Sequence, residues 1–79
     1  MLEEIFNLQT LEEKASYTWK NGNYLAKRVM GVFSINLYYV DDFFIEIYFN
    51  RKENSVGWIK TYASHRCYEP YLEKIKIEL

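Results

Sequence analysis

Polar and apolar positions change their spacing along this chain. Over the first twenty residues Met1, Ile5, Leu8, Leu11, Ala15 and Trp19 recur at three- and four-residue intervals, which places them on one face of an amphipathic helix. Thr10 and Glu13 have the spacing of a capping box, so the same stretch also accommodates a break near Gln9 and a restart. Asn21-Gly22-Asn23 ends the helix, with Gly22 expected in the left-handed cap.

From Tyr24 to Ala63 the period becomes two. Turn signals divide this segment into four strands, at about 24–28, 32–39, 43–49 and 56–63. A one-residue slip moves every side chain of a strand to the other face, so the apolar sets predict a register. Phe33, Ile35, Leu37 and Tyr39 are odd-numbered, as are Phe43, Ile45, Ile47 and Phe49. A three-residue loop, Val40-Asp41-Asp42 with Asp42 in αL, then pairs Tyr39 with Phe43, Leu37 with Ile45 and Ile35 with Ile47. The preceding turn, Val29-Met30-Gly31, fits the same type and sets Leu25 opposite Ile35. A five-residue loop from Arg51 to Ser55 brings Ile59 opposite Ile47 and Thr61 opposite Ile45, whereas a four-residue loop would face Lys60 against Ile45 and bury an ammonium group.

This register gives an aliphatic row, Leu25, Ile35, Ile47 and Ile59, against which the N-terminal helix packs. A second row sets Phe33 and Phe49 beside Gly57, where a ring covers the missing side chain. The opposite face carries Tyr24, Asn36, Glu46 and Lys60, flanked by Ser34, Tyr48 and Trp58 on one side and Tyr38, Phe44 and Tyr62 on the other. Glu46, the one carboxylate in FFIEIYFN, thus faces Lys60 as a register-fixing pair on a solvated face. The competing reading makes Glu46, Asn36 and Lys60 a polar strip in an aromatic-walled groove that holds a small ligand.

Beyond the strands, Ser64 can cap a short turn and Pro70 opens a short helix at about Pro70 to Lys74, with Tyr68, Tyr71, Leu72 and Ile75 toward the body of the domain. Ile75, Ile77 and Leu79 alternate with Lys76 and Glu78, the pattern of a fifth strand at a sheet edge. The expected architecture is α+β over a single domain, 1–79: an N-terminal helix on a four-stranded antiparallel meander, a short C-terminal helix and a C-terminal strand.

Composition narrows the function classes. Of 79 residues 49% are hydrophobic, 27% charged and 19% aromatic, a folded chain with more aromatic side chains than so small a core needs. The formal net charge of −1 offers no long-range field for nucleic acid or an anionic membrane. One cysteine, Cys67, makes no internal disulfide. The acidic, amphipathic start does not read as a signal peptide, and no apolar run approaches the roughly 20 residues of a membrane span. A cytoplasmic protein is expected.

Chemistry-bearing motifs are sparse. His65 and Cys67 are the sole soft-ligand pair, short of the four ligands of a structural zinc site, and no acid is placed to orient them for nucleophilic catalysis. Gly22, Gly31 and Gly57 are isolated, so there is no glycine-rich phosphate loop. No cofactor, metal or catalytic residue is expected. FFIEIYFN, WIKTY and YEPYLEKIKI together resemble short, uncharacterised bacterial single-domain proteins, which implies a bacterial, cytoplasmic setting and no particular activity.

The expected function is a small non-enzymatic protein-interaction module of accessory, immunity or regulatory type. Its candidate face is Tyr38, Phe44, Glu46, Tyr48, Trp58, Lys60 and Tyr62, which bind an unknown protein partner or a second copy of the chain, because so many aromatics left bare would make an unusually large apolar patch. A ligand binder or enzyme using Glu46, Asn36 and Lys60 is the alternative. Stacking of single-stranded nucleic acid on the aromatic face is a further one.

Overall fold

The N-terminal apolar stripe is divided between two helices, α1 over Glu3–Phe6 and α2 over Leu11–Asn21, in the computed structural model, which describes residues 1–63 and Tyr71. The restart is the capping box. The Glu13 amide donates to Thr10 Oγ1 at 3.1 Å and the Thr10 amide donates to Glu13 Oε1 at 3.0 Å, satisfying two of the amides left free at a helix start. Asn7, in the connection, donates its side-chain amide to Thr61 Oγ1 at 2.9 Å, tying the break to the sheet. One continuous helix would carry that contact away. Leu8, expected in the stripe, is therefore turned to solvent.

Gly22 caps α2 differently from expectation. Its φ of −79° and ψ of 151° are extended rather than left-handed, because the chain leaves the helix directly into the first strand at Asn23. Glycine is required for space: a Cβ there would lie 2.7 Å from the Thr18 carbonyl oxygen and 3.3 Å from Tyr38 Cβ.

Four strands follow, β1 (Asn23–Met30), β2 (Phe33–Val40), β3 (Phe43–Asn50) and β4 (Ser55–Tyr62), paired in chain order as one antiparallel sheet. The α+β architecture matches the sequence expectation, and the turns are tighter. Val40 pairs with Phe43, leaving Asp41-Asp42 as a two-residue loop with φ of 49° and 74°. Positive φ at both positions is the I′ geometry, whose twist suits adjoining strands better than the three-residue loop expected. Met30 pairs with Phe33 across Gly31-Val32, with Gly31 at φ 60°, which fits a II′ turn.

Removing one residue from the β2–β3 loop inverts β2 relative to β3. Ile35 faces Tyr48, Leu37 faces Glu46 and Tyr39 faces Phe44, so the expected Leu25, Ile35, Ile47, Ile59 row does not form. The β3–β4 register is as expected, Ile47 opposite Ile59, Ile45 opposite Thr61 and Glu46 opposite Lys60, although Asn50 pairs with Ser55 across a four-residue loop. A bulge reconciles these, since Tyr48 pairs with Trp58 but Phe49 with Val56, and Gly57 is the extra residue. The Phe33 ring covers Gly57, with Cε1 2.9 Å from where its Cβ would stand.

The sheet consequently buries both faces. On the helical side Phe6, Ala15, Val40, Phe43, Ile45, Ile47 and Ile59 form one core, with the Phe6 and Phe43 ring centroids 5.4 Å apart. On the other side Ala26, Leu37, Phe44 and Tyr71 form a second. Tyr71 lies toward the body of the domain, as expected. The rest of the expected C-terminal helix, the strand from Ile75 to Leu79 and the His65/Cys67 pair lie outside the described residues. Among the described residues no helix is long and apolar enough to cross a membrane.

Candidate functional site

Residues 43–48 of β3 are all buried, and Glu46 among them is 1% exposed. An unpaired carboxylate in that position would cost several kcal/mol, so its surroundings are built to hold it. The face around it is laid out in rows. Ala26, Leu37, Glu46 and Lys60 are neighbours across the four strands, and Arg28, Ile35, Tyr48 and Trp58 form the next row. Arg28 is long enough to cross Ile35 and reach Glu46 on the diagonal.

Four donors converge on the carboxylate. Tyr62 donates to Oε1 at 2.6 Å and Tyr48 to the same oxygen at 3.4 Å. Tyr71 donates to Oε2 at 2.7 Å, and Arg28 Nη2 donates to it at 3.2 Å as an ion pair. Two oxygens offer about four lone-pair positions, and all are taken. Arg28 Nη2 also donates to the Tyr48 hydroxyl at 3.2 Å, and its guanidinium stands 5.5 Å from the centre of the Tyr71 ring.

The phenols bear the mark of this setting. Burial, and then the hydrogen bond to Glu46, push the Tyr62 and Tyr71 hydroxyls far above the ordinary tyrosine range. Burial and the Glu46 charge raise Tyr48 in the same direction. All three are neutral donors throughout the physiological range, and Glu46 is their common acceptor.

The structure separates the residues the sequence grouped. Phe44, Glu46, Tyr48, Trp58, Lys60 and Tyr62 share the second face, as expected, but Asn36 and Tyr38 pair with Ile47 and Ile45 and lie on the helical side. Lys60 faces Glu46 in the register, yet its Nζ stands over the rings of Trp58 and Tyr48, 5.5 and 5.9 Å from their centres. The ion pair expected of Lys60 is made by Arg28. Its preference has a physical cause: Lys60 is exposed and its ammonium keeps its hydration over an aromatic face, while Arg28 is half-buried and offers a planar fork already partly desolvated.

Sequence reasoning missed both Arg28 and Tyr71 as partners of Glu46. A buried carboxylate demands a cation, and Arg28 was the one basic residue two positions from an inward-facing small residue, Ala26, in β1. Tyr71 carries no comparable signal.

Beside the start of β4 apolar side chains are exposed on both faces of the sheet, as others are around α1 and the β1–β2 turn. Trp58 is 49% exposed and stacks at 5.1 Å on Tyr48. On the helical side, Leu11, Ala15 and Trp19 of α2 and Ser55 and Val56 of β4 line a groove of about 420 Å³, in which Trp19 is 56% exposed. Among the described residues no cluster of three or more His, Cys, Asp or Glu side chains is arranged to hold a metal ion. Comparison with protein-family models, curated proteins and solved structures finds no match to this chain.

Proposed function

We propose that the protein is a small non-enzymatic interaction module of accessory, immunity or regulatory type, and that its contact surface is the outer edge of β4. The carrying observation is the placement of apolar surface on both sides of that strand. Trp58 stands on one face and the groove of Leu11, Trp19 and Val56 on the other. Among the described residues β4 is the last strand of the sheet, with β3 on its inner side. An added strand would gain backbone hydrogen bonds from the edge, and its alternate side chains would meet Trp58 and the groove in turn.

The occupant that fits is a second copy of the chain. Antiparallel pairing of two β4 strands about a two-fold axis at Ile59 sets Lys60 of each copy opposite Trp58 of the other, extending the cation–π contact already made within one chain. A net charge of −1 leaves little repulsion between copies. The carboxylate reading is weaker. Glu46 has its lone pairs occupied and lies beneath Tyr71, and Asn36, its supposed partner, is on the other side of the sheet.

Light scattering after size exclusion tests this. The wild type is expected to run as a dimer whose population rises with concentration, and Trp58→Ala as a monomer with an unchanged circular dichroism spectrum. A wild-type monomer at every attainable concentration, or a dimer that survives Trp58→Ala, would remove β4 as the contact edge.

A further inference from the structure

Two of the turns that join the strands are wholly polar, Asp41-Asp42 and the Arg-Lys-Glu-Asn loop of residues 51–54. The β1–β2 turn is not. Around Gly31 it carries Val29, Met30 and Val32, which are 48%, 51% and 43% exposed, and Val32 stands where a tight hairpin ordinarily has a polar residue or glycine. Val29 shares the side of Ser34 and Phe49, whereas Met30 shares the side of Phe33 and Asn50, so apolar surface wraps this tip instead of marking one face of it. The turn is also prepared to lose water. Arg51 donates its backbone amide to the Val32 carbonyl oxygen at 2.9 Å and its Nε to the same oxygen at 3.3 Å, and its Nη2 donates to the Gly31 carbonyl oxygen. Both carbonyls of the loop thus have partners within the chain, the condition for placing backbone in a medium poor in water.

Charge is sorted along the strands in the same sense. The β1–β2 and β3–β4 loops meet at one end of the sheet through Arg51, and there Lys27, Arg51 and Lys52 are exposed beside the single acid Glu53. The opposite end holds Asp41 and Asp42, with α1 and its Glu3 and Glu4 tied to it by the Met1 amine, 3.0 Å from Asp41, and by the packing of Phe6 on Phe43. The net charge of −1 hides this separation, which turns the basic end toward an anionic surface. We propose that the β1–β2 turn docks on an anionic lipid surface, with Val29, Met30 and Val32 seated among the headgroups and Lys27, Arg51 and Lys52 against their charges. A bilayer fits better than an acidic protein because a fluid interface surrounds a convex apolar tip, whereas a folded surface would have to meet it with a matching cleft. The exposed Leu2, Ile5 and Leu8 of the α1 region do not compete for this role, since Glu3 and Glu4 stand among them. β1 and β4 are opposite edges of the sheet, so the docking turn and the β4 contact stand or fall separately.

The probes are vesicles of phosphatidylcholine alone and of phosphatidylcholine with about 30% phosphatidylserine, assayed by co-sedimentation. The wild type is expected to bind the phosphatidylserine vesicles at least about tenfold more strongly at low salt, and to lose that preference at about 0.5 M NaCl. Lys27→Ala with Lys52→Ala should lower the binding by about tenfold or more. Met30→Ser with Val32→Ser, which leaves every charge in place, should lower it by a similar factor. Leu8→Ser, at a position 85% exposed near the acidic end, should leave it unchanged. Circular dichroism checks the fold of each variant, and the comparisons of lipid and salt on the wild type need no variant. Equal binding to the two kinds of vesicle, full binding by the Met30, Val32 double variant, or an equal loss in Leu8→Ser overturns the proposal. Binding to polyglutamate as tight as to the vesicles, and retained by that double variant, also overturns it and assigns the turn to an acidic protein surface.

Discussion

Replacing Glu46 with glutamine keeps the shape of the side chain and removes its charge, so it isolates what the charge does at the centre of the second face. Hydrogen bonds to a charged acceptor contribute about 1.5–3 kcal/mol and neutral ones about 0.5–1.5. The two short phenol bonds, from Tyr62 at 2.6 Å and Tyr71 at 2.7 Å, should therefore lose about 1 kcal/mol each. Removing one partner of a fully buried ion pair costs about 3–5 kcal/mol. The Arg28 side chain is 19% exposed and can recover part of its hydration, which reduces that contribution to about 1 kcal/mol. The sum is about 3 kcal/mol, a large share of the roughly 4–12 kcal/mol expected for a domain of this size. Urea denaturation followed by tryptophan fluorescence would show it as a midpoint lower by about 3 M at a slope near 1 kcal/mol/M. Lys60→Ala is the paired control and should cost under about 1 kcal/mol, because Lys60 touches the rings of Trp58 and Tyr48 and makes no ion pair with Glu46. A loss below about 0.5 kcal/mol for Glu46→Gln, or equal losses for the two variants, would refute the network as described.

Three further outcomes are expected. Because Tyr62 and Tyr71 have raised pKa values when folded, their stabilisation is complete below the unfolded tyrosine value of about 10 and drains away as the pH climbs above it. Stability measured against pH should fall on that alkaline side, and Tyr62→Phe with Tyr71→Phe should remove most of the fall. Thr10→Ala removes the side-chain acceptor at the start of α2 and should cost about 1 kcal/mol in thermal or chemical denaturation. Gly22→Ala keeps an allowed backbone but presses a methyl group to 2.7 Å from the Thr18 carbonyl oxygen, so it should cost about 1–3 kcal/mol. A neutral result would mean that the α2–β1 junction yields freely.

The elements were legible because their signals are local. The capping box at Thr10 and Glu13, the asparagine–glycine stop before β1 and the alternation through β2, β3 and β4 each place a boundary without knowledge of the rest of the fold. The β2–β3 register is not legible, since apolar alternation fixes a register only where one face of the sheet is wet. Placing Ile35 and Leu37 with Ile45 and Ile47 presumes that one face is wet. With β3 buried on both sides, aliphatic residues satisfy either face, and turn geometry decides. Asp41 and Asp42 both tolerate positive φ, which was the local sign of the shorter loop. The β3–β4 register came out as expected despite a wrong loop length, because the penalty for burying Lys60 is independent of how the chain makes the correction. The site failed for the same reason as the β2–β3 register. Asn36 and Tyr38 were carried to the wrong face with the rest of β2, and Arg28, an intermediate-exposure residue in an outer strand, gave no periodic cue.

The convergence on Glu46 also orders events during synthesis. Its donors arrive from β1, from its own strand, from the last residue of β4 and finally from Tyr71. A nascent chain that has emerged through Tyr62 has the whole sheet available, but its central acid lacks one of its two short phenol bonds and the second core lacks its largest side chain. Chains emerge over seconds, whereas a β-hairpin closes in microseconds. The sheet therefore has time to form before Tyr71 emerges, and both the 2.7 Å donor to Glu46 and the largest side chain of the second core come from a residue made after the last strand.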